Sequence, residues 1–241
     1  TDADGVRPGS PETTYYVSRP LHIDMGPNAD PPYWDVATYG HTYSGSINLV
    51  RATLQSDNTV YAQLALDIGP SRIVDMAHRM GITSRLRPFP SLVLGTESVN
   101  PLEVADAYAT FASGGVHHPP RGIVKVVFPD GRVVQTETVG ERALSAGVAY
   151  TVTRILQMNT RAGTAAAMPY YYSGVAAGKT GTTSELVDAW FAGFNTRLAT
   201  AVWMGFPKRE ISMPGVQGAT YCVPIWGKFY NLVFGARPTP E

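Results

Sequence analysis

A lysine set among small residues is the feature of this sequence that points most clearly to chemistry. Lys179 lies in SGVAAGKTGTTSELVDAWFAG, which covers residues 173–193. A phosphate-binding loop needs a glycine, four residues and then Gly-Lys-Ser/Thr between a strand and a helix. Here only three residues separate Gly174 from Gly178, and the residues after Lys179 are strand-like. The remaining interpretations are an exposed strand lysine, the commoner case for so short a triplet, and one wall of a catalytic cleft.

A second polar triplet favours the catalytic interpretation. Ser56-Asp57-Asn58 interrupts a helical region, and taken alone it is a helix cap or a polar turn. The two triplets together, 123 positions apart with helices between them, are much rarer by chance. Ser-Asp-Asn with Lys-Thr-Gly is among the signatures of penicillin-binding proteins and active-site serine β-lactamases.

Longer blocks extend the resemblance over nearly all of residues 40–232. The blocks ATLQSDNTVYAQLALDIG, SVNPLEVADAYATFASGGVHHPP, AGKTGTTSELVDAWFAGF and TAVWMGF resemble the transpeptidase domain of bifunctional (class A) penicillin-binding proteins, in that family's order and spacing. A β-lactamase is less similar, because no segment that would supply a deacylating glutamate is visible. The resemblance implies an α/β fold of the α+β type, with an antiparallel sheet flanked by helices.

The same resemblance implies a function in cell-wall synthesis. The family cross-links peptidoglycan by acyl transfer: a serine attacks a D-Ala-D-Ala stem peptide, D-Ala leaves, and the acyl group passes to an amine. β-Lactam antibiotics mimic the donor and are expected ligands, and no cofactor is expected. The resemblance alone also implies a place on the extracytoplasmic face of a bacterial cytoplasmic membrane, with the anchor outside this chain.

The resemblance assigns the first triplet to proton transfer and substrate binding. The Ser56 hydroxyl can relay a proton to the departing amine. Asn58 is expected to face the same cleft, where its amide can both donate to and accept from a substrate peptide group. Asp57 is expected to point the other way and to be a structural hydrogen-bond partner.

The resemblance assigns the second triplet to the terminal carboxylate of the substrate. Lys179 is expected to face Ser56 across the cleft, where its charge attracts that carboxylate and tunes the serine. Thr180 and Thr182 can hydrogen-bond the carboxylate, and Gly181, without a Cβ, allows a close backbone approach. The strand can pair with an extended substrate, and the Thr182 N–H is expected to be half of the oxyanion hole.

The nucleophile of this family is missing from the sequence. It belongs to a Ser-x-x-Lys motif upstream of Ser-x-Asn, and no upstream serine has a lysine three residues later: the pairs are Ser10 and Thr13, Ser18 and Leu21, Ser44 and Ile47, and Ser46 and Leu49. We therefore expect the C-terminal portion of a transpeptidase domain, inactive alone, whose partner is a missing N-terminal segment. The other interpretations are a catalytically dead binding module and a β-lactam sensor.

The elements that must position the triplets can be predicted from periodicity. Residues 1–46 are expected to be an irregular lead-in, residues 47–160 mainly helical, and residues 174–234 a sheet with a closing helix. Two helices are expected on either side of Ser56-Asp57-Asn58. Aromatic-rich runs around Asn195-Thr196-Arg197 indicate an antiparallel hairpin, with the Lys179 stretch as a third strand.

Capping and turn residues predict further boundaries. A hairpin turn is expected at 129–131. Three more helices have N-cap candidates: 71–80 with Ser71, 101–114 with Asn100, and 146–158 with Ser145. The apolar face of the second is predicted at Leu102, Ala105, Tyr108, Ala109 and Ala112.

Composition excludes several other classes of protein. Lys plus Arg and Asp plus Glu both number 19, so the net charge is zero and no basic stripe marks a nucleic-acid binder. The one cysteine, Cys222, is expected to be buried and inert. The five histidines show no metal-binding pattern, and His117-His118 is expected to be solvated.

Overall fold

A computed structural model describes residues 9–27 and 29–235 of the chain. Within them, no helix is long and apolar enough to cross a bilayer. The strands and α-helices are, in chain order, β1 (Tyr15–Ser18), β2 (Leu21–Asp24), β3 (Tyr33–Val36), β4 (Gly45–Asn48), α1 (Leu49–Gln55), α2 (Asn58–Ile68), α3 (Pro70–Arg79), α4 (Pro101–Ala112), β5 (Val116–His117), β6 (Lys125–Val127), β7 (Val133–Gln135), β8 (Glu141–Arg142), α5 (Ala146–Ala162), β9 (Ala177–Thr182), β10 (Ala189–Phe194), β11 (Ala199–Met204) and α6 (Val223–Phe234).

The strand that carries Lys179 belongs to a three-stranded antiparallel sheet in the order β11-β10-β9. β9 pairs with β10 so that Lys179 lies opposite Ala192. Asn195 holds the turn between β10 and β11, because its Oδ1 accepts hydrogen bonds from the N–H groups of Arg197 and Leu198, both at 2.9 Å. The predicted hairpin and its third strand are therefore confirmed.

Helices cover both faces of this sheet, since successive strand residues point to opposite sides. On one face Phe191 packs with α6, whose fully buried Trp226 and Tyr230 stack with ring centroids 3.4 Å apart. On the other face Phe194 packs with Leu156 of α5. The fold is thus an antiparallel sheet flanked by helices, and the prediction of an α/β (α+β type) fold is confirmed.

The capping residues predict most helix starts. Asn100 caps α4, with its Oδ1 accepting from the Leu102 N–H at 2.8 Å, and the Ser145 side chain accepts from the Val148 N–H to cap α5. α5 runs one turn beyond its predicted end at residue 158. β6 and β7 form the hairpin predicted around 129–131.

The prediction that Ser71 caps α3 is wrong. The helix begins at Pro70, with Gly69 in the capping position. Proline suits the first helical position because its φ is already helical and its missing N–H would have had no intrahelical partner.

The apolar face predicted for α4 is correct only in part, because Tyr108 packs against the cluster of Leu156 and Phe194 whereas Leu102 is 60% exposed. The buried side chains of α4 are instead Asp106 and Thr110. Asp106 tolerates burial because its Oδ2 lies 2.8 Å from Nε2 of His117, whose side chain is only 15% exposed. The prediction of a solvated His117 therefore fails for the same reason: a polar pair occupies this interface. Gly81 makes room for the pair, since a Cβ there would collide with both side chains.

The prediction of an irregular lead-in over 1–46 is wrong where short strands form. β1 pairs with β4 and β2 pairs with β3, both antiparallel. Residues 1–8 and 28 of that lead-in lie outside the described residues. The β1–β4 pair leads directly into α1 and so positions the first triplet at the end of that helix.

Candidate active site

Ser56 occupies a tight turn between α1 and α2. It ends α1 with a left-handed backbone, φ 54° and ψ 48°, and α2 starts two residues later at Asn58. The predicted break between two helices is therefore confirmed. Residues other than glycine seldom adopt this conformation, and strained backbones of this kind cluster at functional sites, although His41 and Leu186 also have a positive φ elsewhere in the described chain.

Asp57 holds this turn in place. Its Oδ1 accepts hydrogen bonds from the N–H groups of Thr59 and Val60, at 3.0 and 3.1 Å, and from the Thr59 hydroxyl at 2.7 Å. Its Oδ2 accepts from the Ser18 hydroxyl at 2.5 Å. The carboxylate is buried and fully engaged, as the structural role predicted for Asp57 requires.

Lys179 reaches this turn from β9. Its Nζ lies 2.9 Å from Ser56 Oγ, 3.0 Å from the carbonyl oxygen of Thr180 and 3.5 Å from Thr164 Oγ1. An ammonium has three protons to donate, and these three oxygens match them. The structure thus brings together the serine and the lysine of the two triplets.

Burial lowers the pKa of Lys179 to about 8, because the partly enclosed ammonium loses solvation. The ion pairs among the described residues lie elsewhere and do not include Lys179. The ammonium is therefore the major form at pH 7 and is lost as the pH rises through about 8.

Asn58 is turned toward the loop that precedes the first triplet. Its Nδ2 donates to the carbonyl oxygen of Ala37 at 3.1 Å, so this hydrogen bond goes neither to Ser56 nor to Lys179. Two residues after Ala37, the Tyr39 hydroxyl accepts from Nε2 of Gln217 at 3.0 Å. The loop therefore connects the start of α2 to the segment that precedes α6.

The other residues of the second triplet have distinct surroundings. The Thr180 hydroxyl donates to Thr164 Oγ1 at 2.7 Å. Thr182 is exposed, and its Oγ1 accepts from the Gly218 N–H at 3.1 Å. Gly181 lies opposite Trp190, and a Cβ at this glycine would be 3.2 Å from that side chain, so the strand packs closely there.

The pairing of β9 shows which backbone groups face outward. The Thr183 N–H donates to the carbonyl oxygen of Asp188 on the β10 side. Because inward and outward residues alternate along an antiparallel pair, the N–H of Thr182 points away from β10. In the described part of the chain no strand pairs with this edge of β9.

Sequence reasoning missed Asn159 and Thr164, which lie beside Lys179. Asn159 is fully buried on α5, and its Nδ2 donates to the carbonyl oxygen of Gly178 at 2.9 Å. The sequence holds a signal for them: the apolar stripe of α5 passes through Leu156 and then places Asn159 at the next buried position.

The aromatic residues of the sheet and the cysteine have structural surroundings. Phe191 is fully buried in the core, whereas Trp190 and Trp203 are partly buried and lie side by side on neighbouring strands. Cys222 is buried, and burial raises the pKa of its thiol to about 11. Across residues 9–27 and 29–235, no group of three or more His, Cys, Asp and Glu side chains could hold a metal ion.

Solved structures with the same fold define the class of protein. The penicillin-binding protein 1A structure from Haemophilus influenzae superimposes with a TM-score of 0.86 at 22% identity, over 97% of this chain and 40% of that one. The PonA1 protein from Mycobacterium tuberculosis, in complex with penicillin V, gives 0.84 at 25% identity, over 99% of this chain and 66% of that one. The fold is therefore that of penicillin-binding-protein transpeptidase domains.

Sequence comparison then gives the family. Residues 22–206 match the penicillin binding protein transpeptidase domain. Penicillin-binding protein 1A of Neisseria gonorrhoeae is 36% identical over 237 residues, and penicillin-binding protein 2D of Bacillus subtilis is 33% identical over 217 residues. These alignments cover 95% and 83% of this chain but only 29% and 31% of those relatives. The chain belongs to the penicillin-binding protein transpeptidase family, as its motifs predicted.

Proposed function

We propose that this chain is part of a serine-type peptidoglycan D,D-transpeptidase, which cross-links the cell wall from a D-Ala-D-Ala stem peptide and is a target of β-lactam antibiotics. The observation that carries this proposal is the 2.9 Å hydrogen bond between Lys179 Nζ and Ser56 Oγ. The family membership supports the same reaction class, and the PonA1 complex shows that a protein of this fold binds penicillin V.

The proposed reaction takes its nucleophile from outside these 241 residues. None of the four lysines of the sequence has a serine three residues before it. The nucleophilic serine oxygen bonds to the carbonyl carbon of the penultimate D-Ala, and the peptide C–N bond breaks. The Ser56 hydroxyl passes a proton to the departing amine nitrogen and is reprotonated from the nucleophile's side. An acceptor amine then attacks the ester and frees the serine.

The proposed substrate contacts follow the outward edge of β9. An extended stem peptide would pair with the edge, and the Thr182 N–H, which points away from β10, would stabilise the oxyanion. Lys179 would attract the terminal carboxylate through its charge, since its three protons already have protein acceptors. Thr180, Thr182 and Asn58 are the proposed hydrogen-bonding partners of the substrate, with Gly181 allowing its close approach. The Thr180 hydroxyl proton goes to Thr164 in this structure, so Thr180 would have to turn that proton toward the substrate to bind its carboxylate.

The complete protein is proposed to be larger than this chain. Residues 1–241 would be the C-terminal portion of the transpeptidase domain, acting with an N-terminal segment that carries the nucleophile. The complete protein would be membrane-anchored on the extracytoplasmic face of a bacterial cytoplasmic membrane. The length of the relatives, of which this chain spans about 30%, supports a larger protein.

The test of this function uses the complete product of the gene and a synthetic stem peptide ending in D-Ala-D-Ala. We expect release of free D-Ala together with a cross-linked peptide dimer when an acceptor amine is present, and loss of both products after treatment with penicillin. Binding of the peptide without release of D-Ala would reject the transpeptidase and favour the second candidate.

The second candidate is a catalytically dead penicillin-binding-like module that binds or senses its ligand. It applies if the complete product of the gene lacks Ser-x-x-Lys, as the 241 residues do. Such a module would keep the Ser56–Lys179 pair and bind β-lactams reversibly. Dialysis after exposure to penicillin separates the two candidates, because an acyl-enzyme survives dialysis and a reversible complex does not.

A further inference from the structure

The cleft rests on a polar network that neither triplet contains. Thr164 follows the end of α5, and its N–H lies 3.1 Å from both the carbonyl oxygen of Leu54 on α1 and Oδ1 of Asn159. α1 ends at the turn that carries Ser56. Thr164 therefore joins α1, which ends at Ser56, to α5, which packs beside the strand of Lys179.

Asn159 fixes the direction of every hydrogen bond in this network. Its Nδ2 donates to the carbonyl oxygen of Gly178 on β9 at 2.9 Å, so its Oδ1 must face Thr164. The opposite orientation of the amide would set two oxygens against each other at Gly178 and two donors against each other at Thr164. A fully buried amide does not tolerate either conflict.

The hydroxyl of Thr164 is therefore left as an acceptor on the side of the cleft. Its single proton goes to Asn159 Oδ1 at 3.3 Å. Its lone pairs then accept from the Thr180 hydroxyl at 2.7 Å and face the Lys179 ammonium at 3.5 Å. Without this oxygen, Thr180 loses its acceptor and Lys179 loses one of the three oxygens around Nζ.

We propose that Thr164, oriented by Asn159, is a positioning residue that holds Lys179 on Ser56 and fixes the rotamer of Thr180. The inference concerns a part of the cleft outside the two motifs, and its kinetic consequence rests on the proposed function. The glycine before Thr164 is part of the same arrangement, since a Cβ on Gly163 would collide with the Asn159 side chain.

The first test measures the pKa of Lys179 directly in the 241-residue chain. The chain has only four lysines, so the ¹³C NMR signal of Lys179 is assigned by its absence in Lys179→Arg. We expect Thr164→Val to lower the pKa of Lys179 by about 0.5–1 unit, because a half-buried ammonium loses an acceptor. Thr164→Ser, which keeps the hydroxyl, should restore the wild-type value.

Thr160→Val is the matched control. Thr160 is buried on α5, and its hydroxyl donates to the carbonyl oxygen of Ala176 at 2.7 Å rather than facing the Lys179 ammonium, whose hydrogen bonds go to Ser56, Thr164 and Thr180. It should change the free energy of unfolding as much as Thr164→Val does and leave the pKa of Lys179 unchanged. An unchanged pKa in Thr164→Val, or an equal shift in both variants, would overturn the inference.

The second test measures acyl transfer by the complete gene product. We expect Thr164→Val to lower kcat/KM for D-Ala release by about 10–100-fold, with recovery in Thr164→Ser and no loss in Thr160→Val. A loss that Thr164→Ser does not recover would overturn the inference. If the wild-type protein releases no D-Ala while the pKa of Lys179 still responds to Thr164, the proposed function fails and the positioning role stands.

Discussion

Replacing Lys179 by alanine should lower kcat/KM for D-Ala release by about 10²–10⁴-fold, the range typical of losing a positioned proton-transfer group. The ammonium donates to Ser56 Oγ at 2.9 Å, and its removal leaves that hydroxyl without its charged partner. Both the orientation of the serine and the attraction for the substrate carboxylate are lost together. Steady-state kinetics on the complete gene product would measure the effect.

Two variants separate this role from general damage to the protein. Lys208→Ala removes an exposed lysine and should leave kcat/KM unchanged. Lys179→Arg keeps a positive charge that does not titrate. The wild-type rate should fall as the pH rises through about 8, where Lys179 loses its proton, and this decline should be absent from the residual activity of the arginine variant. Activity of Lys179→Ala within tenfold of wild type would contradict the assigned role.

Replacing Asp57 by alanine should lower the free energy of unfolding by about 3–5 kcal/mol. The buried carboxylate accepts four hydrogen bonds, from Ser18, from the hydroxyl and N–H of Thr59, and from the N–H of Val60. Alanine would leave these donors unsatisfied and remove the cap of α2. Urea denaturation followed by circular dichroism would measure the change.

Two further variants serve as controls for Asp57→Ala. One removes an exposed aspartate elsewhere in the chain, and the other replaces Asp57 by asparagine. Asp130→Ala, in the exposed turn between β6 and β7, should cost about 0.5 kcal/mol, because it loses one solvated turn hydrogen bond. Asp57→Asn keeps Oδ1 as an acceptor, so its loss in free energy of unfolding should lie between those of Asp130→Ala and Asp57→Ala. If Asp57→Ala were as stable as Asp130→Ala, Asp57 would not be holding the Ser56 turn.

Local signals in the sequence were enough for the elements that carry the two triplets. The helix break at Ser56, the caps at Asn100 and Ser145, and the hairpin at Asn195 each depend on residues within one turn of the boundary. These interactions are local, so periodicity and capping preference suffice to place them.

The incorrect predictions concern residues whose burial or hydrogen bonding depends on partners that are distant in the sequence. Asp106 is buried because His117 lies across from it, and apolar periodicity contains no information about that partner. The acceptor role of Thr164 depends on the amide orientation of Asn159, which the backbone of β9 fixes. The approach of Lys179 to Ser56 was predictable only because the two motifs were read as a pair, since 123 positions separate them.

The most direct test of the central claim maps the adduct formed with a fluorescent penicillin. The 241-residue chain and the complete product of the gene are exposed to it side by side, and labelled peptides are identified by mass spectrometry. We predict a covalent adduct on the complete product, at a serine outside residues 1–241, and none on the chain alone. An adduct on any serine within the 241 residues, or a complete product that stays unlabelled, would contradict the claim that this chain is one wall of an acylating cleft.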